Sequence, residues 1–210
     1  PMVVDIVEGE GHWVAFLESA IISTMAGGLM ALACSNGVRQ GLNIQQTFLL
    51  TTGVWVALPI FGALPFMLGD TELRVVDAFF EAMSGLTTTG STVLSGLDQM
   101  PKGLLLWRGL LQWLGGIGII VVAMVFLPEL RVGGMQIFRS EGFDTFGKIL
   151  PRATEISSRI SGIYVVLTMS CAAAYMLSGM SVFDATVHAM TTIATGGFAN
   201  YDASFAAFGG

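Results

Sequence analysis

Asp77-Ala78-Phe79-Phe80-Glu81-Ala82-Met83-Ser84-Gly85-Leu86-Thr87-Thr88-Thr89-Gly90-Ser91 recurs without a gap, 107 positions on, as Asp184-Ala185-Thr186-Val187-His188-Ala189-Met190-Thr191-Thr192-Ile193-Ala194-Thr195-Gly196-Gly197-Phe198. Asp, Ala, Ala, Met, Thr and Gly fall at the same places in both copies. Each copy opens as a short amphipathic helix pattern and turns into Thr and Gly after about twelve residues, too few to cross a bilayer as a helix. Non-helical backbone at membrane depth is tolerated only where it is buried in protein or lines a wet cavity. Both copies therefore read as re-entrant loops, within 73–98 and 182–201. Two ordinary tilted spans are the alternative.

Composition sets the membrane context. The 210 residues are 53% hydrophobic and 11% charged, with mean hydropathy +0.74; soluble domains carry about 25% charged residues. A net charge of −6 argues against nucleic acid as a partner. Cys34 and Cys171 lie in apolar runs and read as small packing residues, not a disulfide framework. The chain opens at Pro1 without an initiator Met or a signal-peptide pattern and stops at Gly210 just after the second loop, so it reads as a piece of a longer protein.

Uncharged runs mark spans over 19–38, 47–69, 109–128 and 160–183. Arg39, Arg131, Arg139, Lys148, Arg152 and Arg159 fall on one side, which should be cytoplasmic. Asp5, Glu8, Glu10, Asp70, Glu72 and Asp98 fall on the other, where an acidic surface concentrates cations. The expected order is an N-terminal stub with an extra transmembrane helix over 1–38 and a first helix–pore-loop–helix repeat over 45–128. A cytoplasmic connector over 129–159 and an incomplete second repeat over 160–210 follow. The short helices are expected near 77–86 and 184–193, each followed by its Thr/Gly run at 87–91 and 194–198. The expected fold class is an all-α polytopic membrane protein built of helix–pore-loop–helix repeats.

The chemistry follows from oxygen. A cation stripped of water needs several oxygens, and backbone carbonyls supply them without burying a full charge. Glycine allows the positive-φ conformations that turn successive carbonyls the same way. Threonine is stiff at χ1, and its hydroxyl can hold the loop from behind. Thr87 to Gly90 and Ala194 to Gly197 are thus candidate ligands through main-chain oxygen. Asp77 and Asp184 are read as N-caps of the short helices, whose partly negative C-terminal ends then point toward the path. Glu81 and His188 occupy matching positions, and packing or hydrogen bonding behind the loops suits them better than a ligand role.

Gly115-Gly116-Ile117-Gly118 lies mid-span without a preceding strand, so close helix packing is its reading, and Gly27 and Gly28 suggest a second such face. Trp107, Arg108 and Trp113 suit an interfacial belt near the outer end of that span. There is no Walker A run, nucleophile elbow or helical zinc pair, so no catalytic constellation argues for an enzyme.

With both loops in view, the chain resembles the Trk/Ktr/HKT superfamily of potassium transporters, and within it the bacterial TrkH-type membrane subunits. The carrying residues are Phe61-Gly62-Ala63-Leu64-Pro65-Phe66, Asp77 to Gly90, Gln112-Trp113-Leu114-Gly115-Gly116-Ile117-Gly118 and Ala194-Thr195-Gly196-Gly197-Phe198. The resemblance implies four repeats around one pore, each giving a filter strand centred on a glycine, here Gly90 and Gly197. It makes Thr88, Thr89, Thr195 and Gly196 the potassium ligands, with Thr87, Ser91 and Ala194 flanking them. It further implies potassium as the transported ion with no covalent cofactor, and an inner-membrane location. A homodimer docking a cytosolic nucleotide-binding regulatory subunit is implied as well. The second strand departs from the first, with Ala194 and Gly196 in place of Thr87 and Thr89, which fits modest potassium selectivity. Two other readings stand beside this one. An ion-coupled secondary transporter with broken helices would need Glu81 or His188 beside its substrate, and a non-transporting scaffold would leave the duplicated unit unexplained.

Overall fold

The computed structural model describes residues 1–35, 37, 44–69, 71, 73–130 and 149–209, except the side chains of 44, 47, 121–130 and 149–157. Among these the chain is all helix and turn, without a strand. Arg39, Asp70, Glu72 and residues 131–148 of the expected connector lie outside the described residues.

Helix α1 (Met2–Glu8) leads through a glycine turn into α2 (Trp13–Cys34). Helix α3 (Ile44–Gly62) is followed by α4 (Leu64–Leu68), and α5 (Val75–Leu86) is the first short helix. Helix α6 (Lys102–Leu130), α7 (Ile149–Leu177) and the second short helix, α8 (Val182–Ile193), complete the order. Among the described residues four stretches are long and apolar enough to cross a membrane: Trp13–Cys34, Phe48–Leu68, Lys102–Ile120 and Ser158–Leu177. The first and third begin several residues earlier than the uncharged runs suggest, because helix geometry continues through Glu18 and Arg108. Leu29, Leu32, Leu49 and Leu177 stand exposed on these helices, as lipid-facing side chains do.

The break between α3 and α4 has a local cause. Pro65 lacks an N–H, and its ring conflicts with the carbonyl four residues back, so the α3 ladder stops at Gly62. The freed Gly62 carbonyl accepts the Trp107 indole N–H at 2.9 Å. Trp113 likewise donates to Thr168 Oγ1 at 3.0 Å. Both tryptophans are therefore tied to neighbouring helices.

The buried core lies where α2, α4, α5 and α6 meet, around Phe16, Phe66, Ala78, Ala82, Leu104 and Leu111. The start of α6 is capped from another element. Asp5 Oδ1 accepts the Gly103 N–H at 2.6 Å, and Glu10 Oε2 accepts the Lys102 N–H at 3.0 Å. Partial burial pushes the Glu10 carboxyl above its ordinary pKa, against the pull of the Lys102 amide. These acceptors satisfy N–H groups that have no partner within the helix. Asp5→Ala is expected to destabilise the full-length protein by about 1–2 kcal/mol, read as a lower thermal-unfolding midpoint in detergent. An unchanged midpoint would show that the cap contributes nothing.

Candidate functional site

The two short helices end in the same way. At the end of α5, the Thr87 N–H donates to the Met83 carbonyl at 2.8 Å, Thr88 to Gly85 at 2.9 Å and Thr89 to Ser84 at 2.9 Å. At the end of α8, Ala194 donates to Met190 at 3.1 Å, Thr195 to Thr192 at 2.9 Å and Gly196 to Thr191 at 2.9 Å. Thr88 and Thr195 both have φ 56°, and Gly90 and Gly197 both have φ 78°. A β-branched residue in the left-handed region is an outlier that costs on the order of 1–3 kcal/mol and collects at functional sites. Here it occurs at the same register of both copies.

The strands touch. A Cβ at Gly90 would overlap the Gly196 carbonyl oxygen. Thr87 and Thr89 are exposed, with hydroxyls 2.8 Å apart, and the Thr87 hydroxyl also donates to the Met83 carbonyl at 2.8 Å. Ser91 is exposed, and its carbonyl accepts the Ser84 hydroxyl at 2.6 Å, which holds the first strand against its helix. In the second strand Ala194 and Gly196 are buried, while Thr195 and Gly197 are exposed.

Asp77 and Asp184 are not N-caps. The helices start earlier, after Arg74 (ψ 149°) and Ser181 (ψ 156°), which puts both aspartates at the third helical position. Arg74 Nε donates to Asp77 Oδ2 at 2.7 Å. Ser181 Oγ accepts the Asp184 N–H at 3.1 Å and donates to Asp184 Oδ2 at 2.7 Å. The Ser-x-x-Asp spacing of a helix start was present in the second copy. Asp184 also accepts from Asn200 Nδ2 at 2.8 Å and from the Tyr201 hydroxyl at 3.2 Å, pinning the segment beyond the second strand.

Glu81 and Arg108 form a buried ion pair behind the strands, Nε to Oε1 at 2.9 Å, with side chains 0% and 1% exposed. Thr92 donates to Glu81, and the Val93 N–H reaches Oε2 at 3.1 Å. Arg108 Nη1 donates to the Ala199 carbonyl at 2.9 Å, Nη2 to Thr92 Oγ1 at 3.1 Å, and the guanidinium lies 4.2 Å from the Phe198 ring centroid. One arginine thus joins the outgoing segments of both strands. This corrects the interfacial-belt reading of Arg108. A signal was available: Arg108 and Gln112 are four residues apart, and Gly115 and Gly116 lie on about the same face of one helix. His188, the counterpart of Glu81, has no such charged partner among the described residues. Its Nδ1 lies 2.9 Å from the Asp184 carbonyl, and its ring packs edge-on against Phe205 and Phe208.

The glycines of α6 seat it on both helix ends. A Cβ at Gly115 would overlap the Leu86 carbonyl, and one at Gly116 would lie 3.4 Å from Ala194 Cα. Gly118 faces Trp55. Gly27 and Gly28, read as a similar face, have nothing within 4 Å among the described residues. Beyond the strands, the Asp202 carboxylate accepts the Gly96 and Leu97 N–H groups, at 2.9 Å and 3.1 Å, and ties the two outgoing loops together.

A family model described as TrkH, cation transport protein, matches residues 12–210. Over 209 residues the chain is 46% identical to the Trk system potassium uptake protein TrkI of Halomonas elongata, covering 99% of this chain and 42% of that protein. It is 42% identical over 212 residues to the Trk system potassium uptake protein TrkH of Escherichia coli, with 99% and 44% covered. Among solved structures, the crystal structure of the potassium transporter TrkH from Vibrio parahaemolyticus matches with a TM-score of 0.81 at 38% identity, over 96% of this chain and 40% of that one. The chain therefore spans about two-fifths of the length of these relatives. With its duplicated loop unit, four helices among the described residues long and apolar enough to cross a membrane, and a family match over residues 12–210, the chain belongs to the TrkH family of cation transport proteins.

Proposed function

We propose that this chain supplies two strands of the selectivity filter in a potassium-uptake pore of the bacterial inner membrane. Thr88, Thr89, Thr195 and Gly196 offer main-chain carbonyls to the ion, and Thr87, Gly90, Ser91, Ala194 and Gly197 shape the strands around them. The observation that carries this reading is the matched backbone: left-handed Thr and Gly at 88 and 90 and again at 195 and 197, directly after two short helix ends. Helix C-termini direct partial negative charge toward that place, and strained backbone at one register in both copies points to use. The relatives' potassium-uptake function supports the choice of ion. The remaining strands come from other repeats, and a homodimer with a cytosolic nucleotide-binding regulatory subunit completes the assembly. The secondary-transporter reading needs an ionisable group free for substrate, but Glu81 is committed to Arg108, Thr92 and Val93, and His188 is fully buried against the Asp184 carbonyl, Phe205 and Phe208.

The test is potassium and rubidium uptake by the full-length protein in a bacterium lacking other potassium uptake. Wild type is expected to restore growth at low potassium. Gly90→Ser and Gly197→Ser each put a side chain on left-handed backbone, at a cost of roughly 1–2 kcal/mol, equivalent to about a five- to thirtyfold loss of uptake or of preference over sodium. Normal, selective transport by both variants would overturn the filter reading.

A further inference from the structure

Helix α6 belongs to the first repeat, yet a side chain on its buried face serves the second strand. Gln112 is 0% exposed. Its Oε1 accepts the Phe198 N–H at 3.2 Å, just past Gly197. A Cβ at Gly196 would run into the Gln112 amide carbon, nitrogen and oxygen together. On the other side, Gln112 Nε2 lies 3.6 Å from where a Cβ at Gly90 would be, and it has no hydrogen-bond partner among the described residues. The amide is thus lodged between the two strands, with its oxygen tied to the second strand and both N–H donors of its nitrogen without a partner among the described residues.

This placement accounts for the main difference between the copies. The first strand carries Thr89 with its side chain exposed and bonded to Thr87, whereas its counterpart is Gly196. A side chain at 196 has no room because Gln112 fills that volume. The strand that has lost its own threonine is held instead by an amide reaching across from the neighbouring repeat. Arg108, one turn away on α6, grips the same strand further out through the Ala199 carbonyl and the Phe198 ring.

Resting on the filter reading above, we propose that Gln112 is a positioning residue for the second strand: it sets the separation of the Gly90 and Gly196 backbones and thereby the preference for potassium over sodium. A filter's preference depends on how many carbonyl oxygens surround the ion and on how they are held, and an amide that fills the gap between two strand backbones and bonds one of them limits their approach.

The experiment is a double-substitution cycle in the full-length protein, reading the potassium-to-sodium uptake ratio at matched membrane levels. Gly196→Ala is expected to lower the ratio about tenfold, because its methyl displaces the Gln112 amide. In a Gln112→Ala background the ratio is already low, and adding Gly196→Ala is expected to change it by less than about twofold, the non-additivity of groups sharing one space. Gln112→Leu keeps the volume but removes the acceptor for the Phe198 N–H, and is expected to lower the ratio while uptake continues. Should the leucine variant fail to reach the membrane, the alanine cycle decides alone. Equal damage from Gly196→Ala in both backgrounds, or a wild-type ratio in Gln112→Leu, overturns the proposal. Gly90→Ser and Gly197→Ser run alongside separate the two failures: if they too leave the ratio unchanged, the filter reading falls first.

Discussion

Arg108→Met is expected to lower the stability of the full-length protein by about 3–5 kcal/mol, the range for stranding one partner of a buried ion pair. Burial sets the size of the effect. Glu81 and Arg108 are 0% and 1% exposed, so water cannot replace a lost partner. Every group of the guanidinium is engaged: Nε by Glu81, Nη1 by the Ala199 carbonyl and Nη2 by Thr92. Removing it leaves the Glu81 carboxylate with only Thr92 and the Val93 N–H. The Ala199 carbonyl loses its donor as well. The measurement is the thermal or denaturant unfolding midpoint in detergent. Arg108→Met with Glu81→Leu should recover most of the loss, because apolar groups of similar volume replace a buried pair at little net cost. An unchanged midpoint in the single variant would mean that the pair does not hold the two outgoing segments together.

Gly115→Val is expected to reduce rubidium uptake about a hundredfold, the scale associated with a displacement of ~1 Å in a positioned site. The new Cβ would meet the Leu86 carbonyl oxygen, its carbon and its Cα, all backbone atoms that cannot swing aside. Leu86 is the last residue of α5 and directly precedes Thr87, so the displacement passes straight into the first strand. Gly27→Val is the control, since nothing lies within 4 Å of that position among the described residues, and it is expected to transport as wild type. If Gly115→Val does so as well, close contact between α6 and the end of α5 is not what places the strand.

The contrast between Gly115 and Gly27 shows how far a sequence reading goes. Both glycines lie in apolar spans and invite the same packing interpretation, but only what lies opposite decides it, and that partner is remote in sequence. The same limit explains the two aspartates. Their positions at the start of an amphipathic pattern suggested caps, yet backbone geometry begins the helices after Arg74 and Ser181. Hydrophobic periodicity marks a helix better than it marks the helix end.

What the sequence determined by itself was the repeat and the coarse course of the chain, not the residue at which each helix starts. The duplicated unit, its short helices ending at Leu86 and Ile193, the Thr/Gly runs after them and the apolar spans all follow from spacing, propensity and hydropathy. Those properties act over a few residues, or show as self-similarity across 107 positions. Only the tertiary structure decided that Arg108 joins two segments from inside the protein, that Gln112 occupies the space left at Gly196, and that Asp5 and Glu10 cap a helix more than ninety residues away. A 3.6-residue period tells which side chains share a face. It does not say which backbone lies across from that face, and a buried polar group takes its role from the partner it finds there.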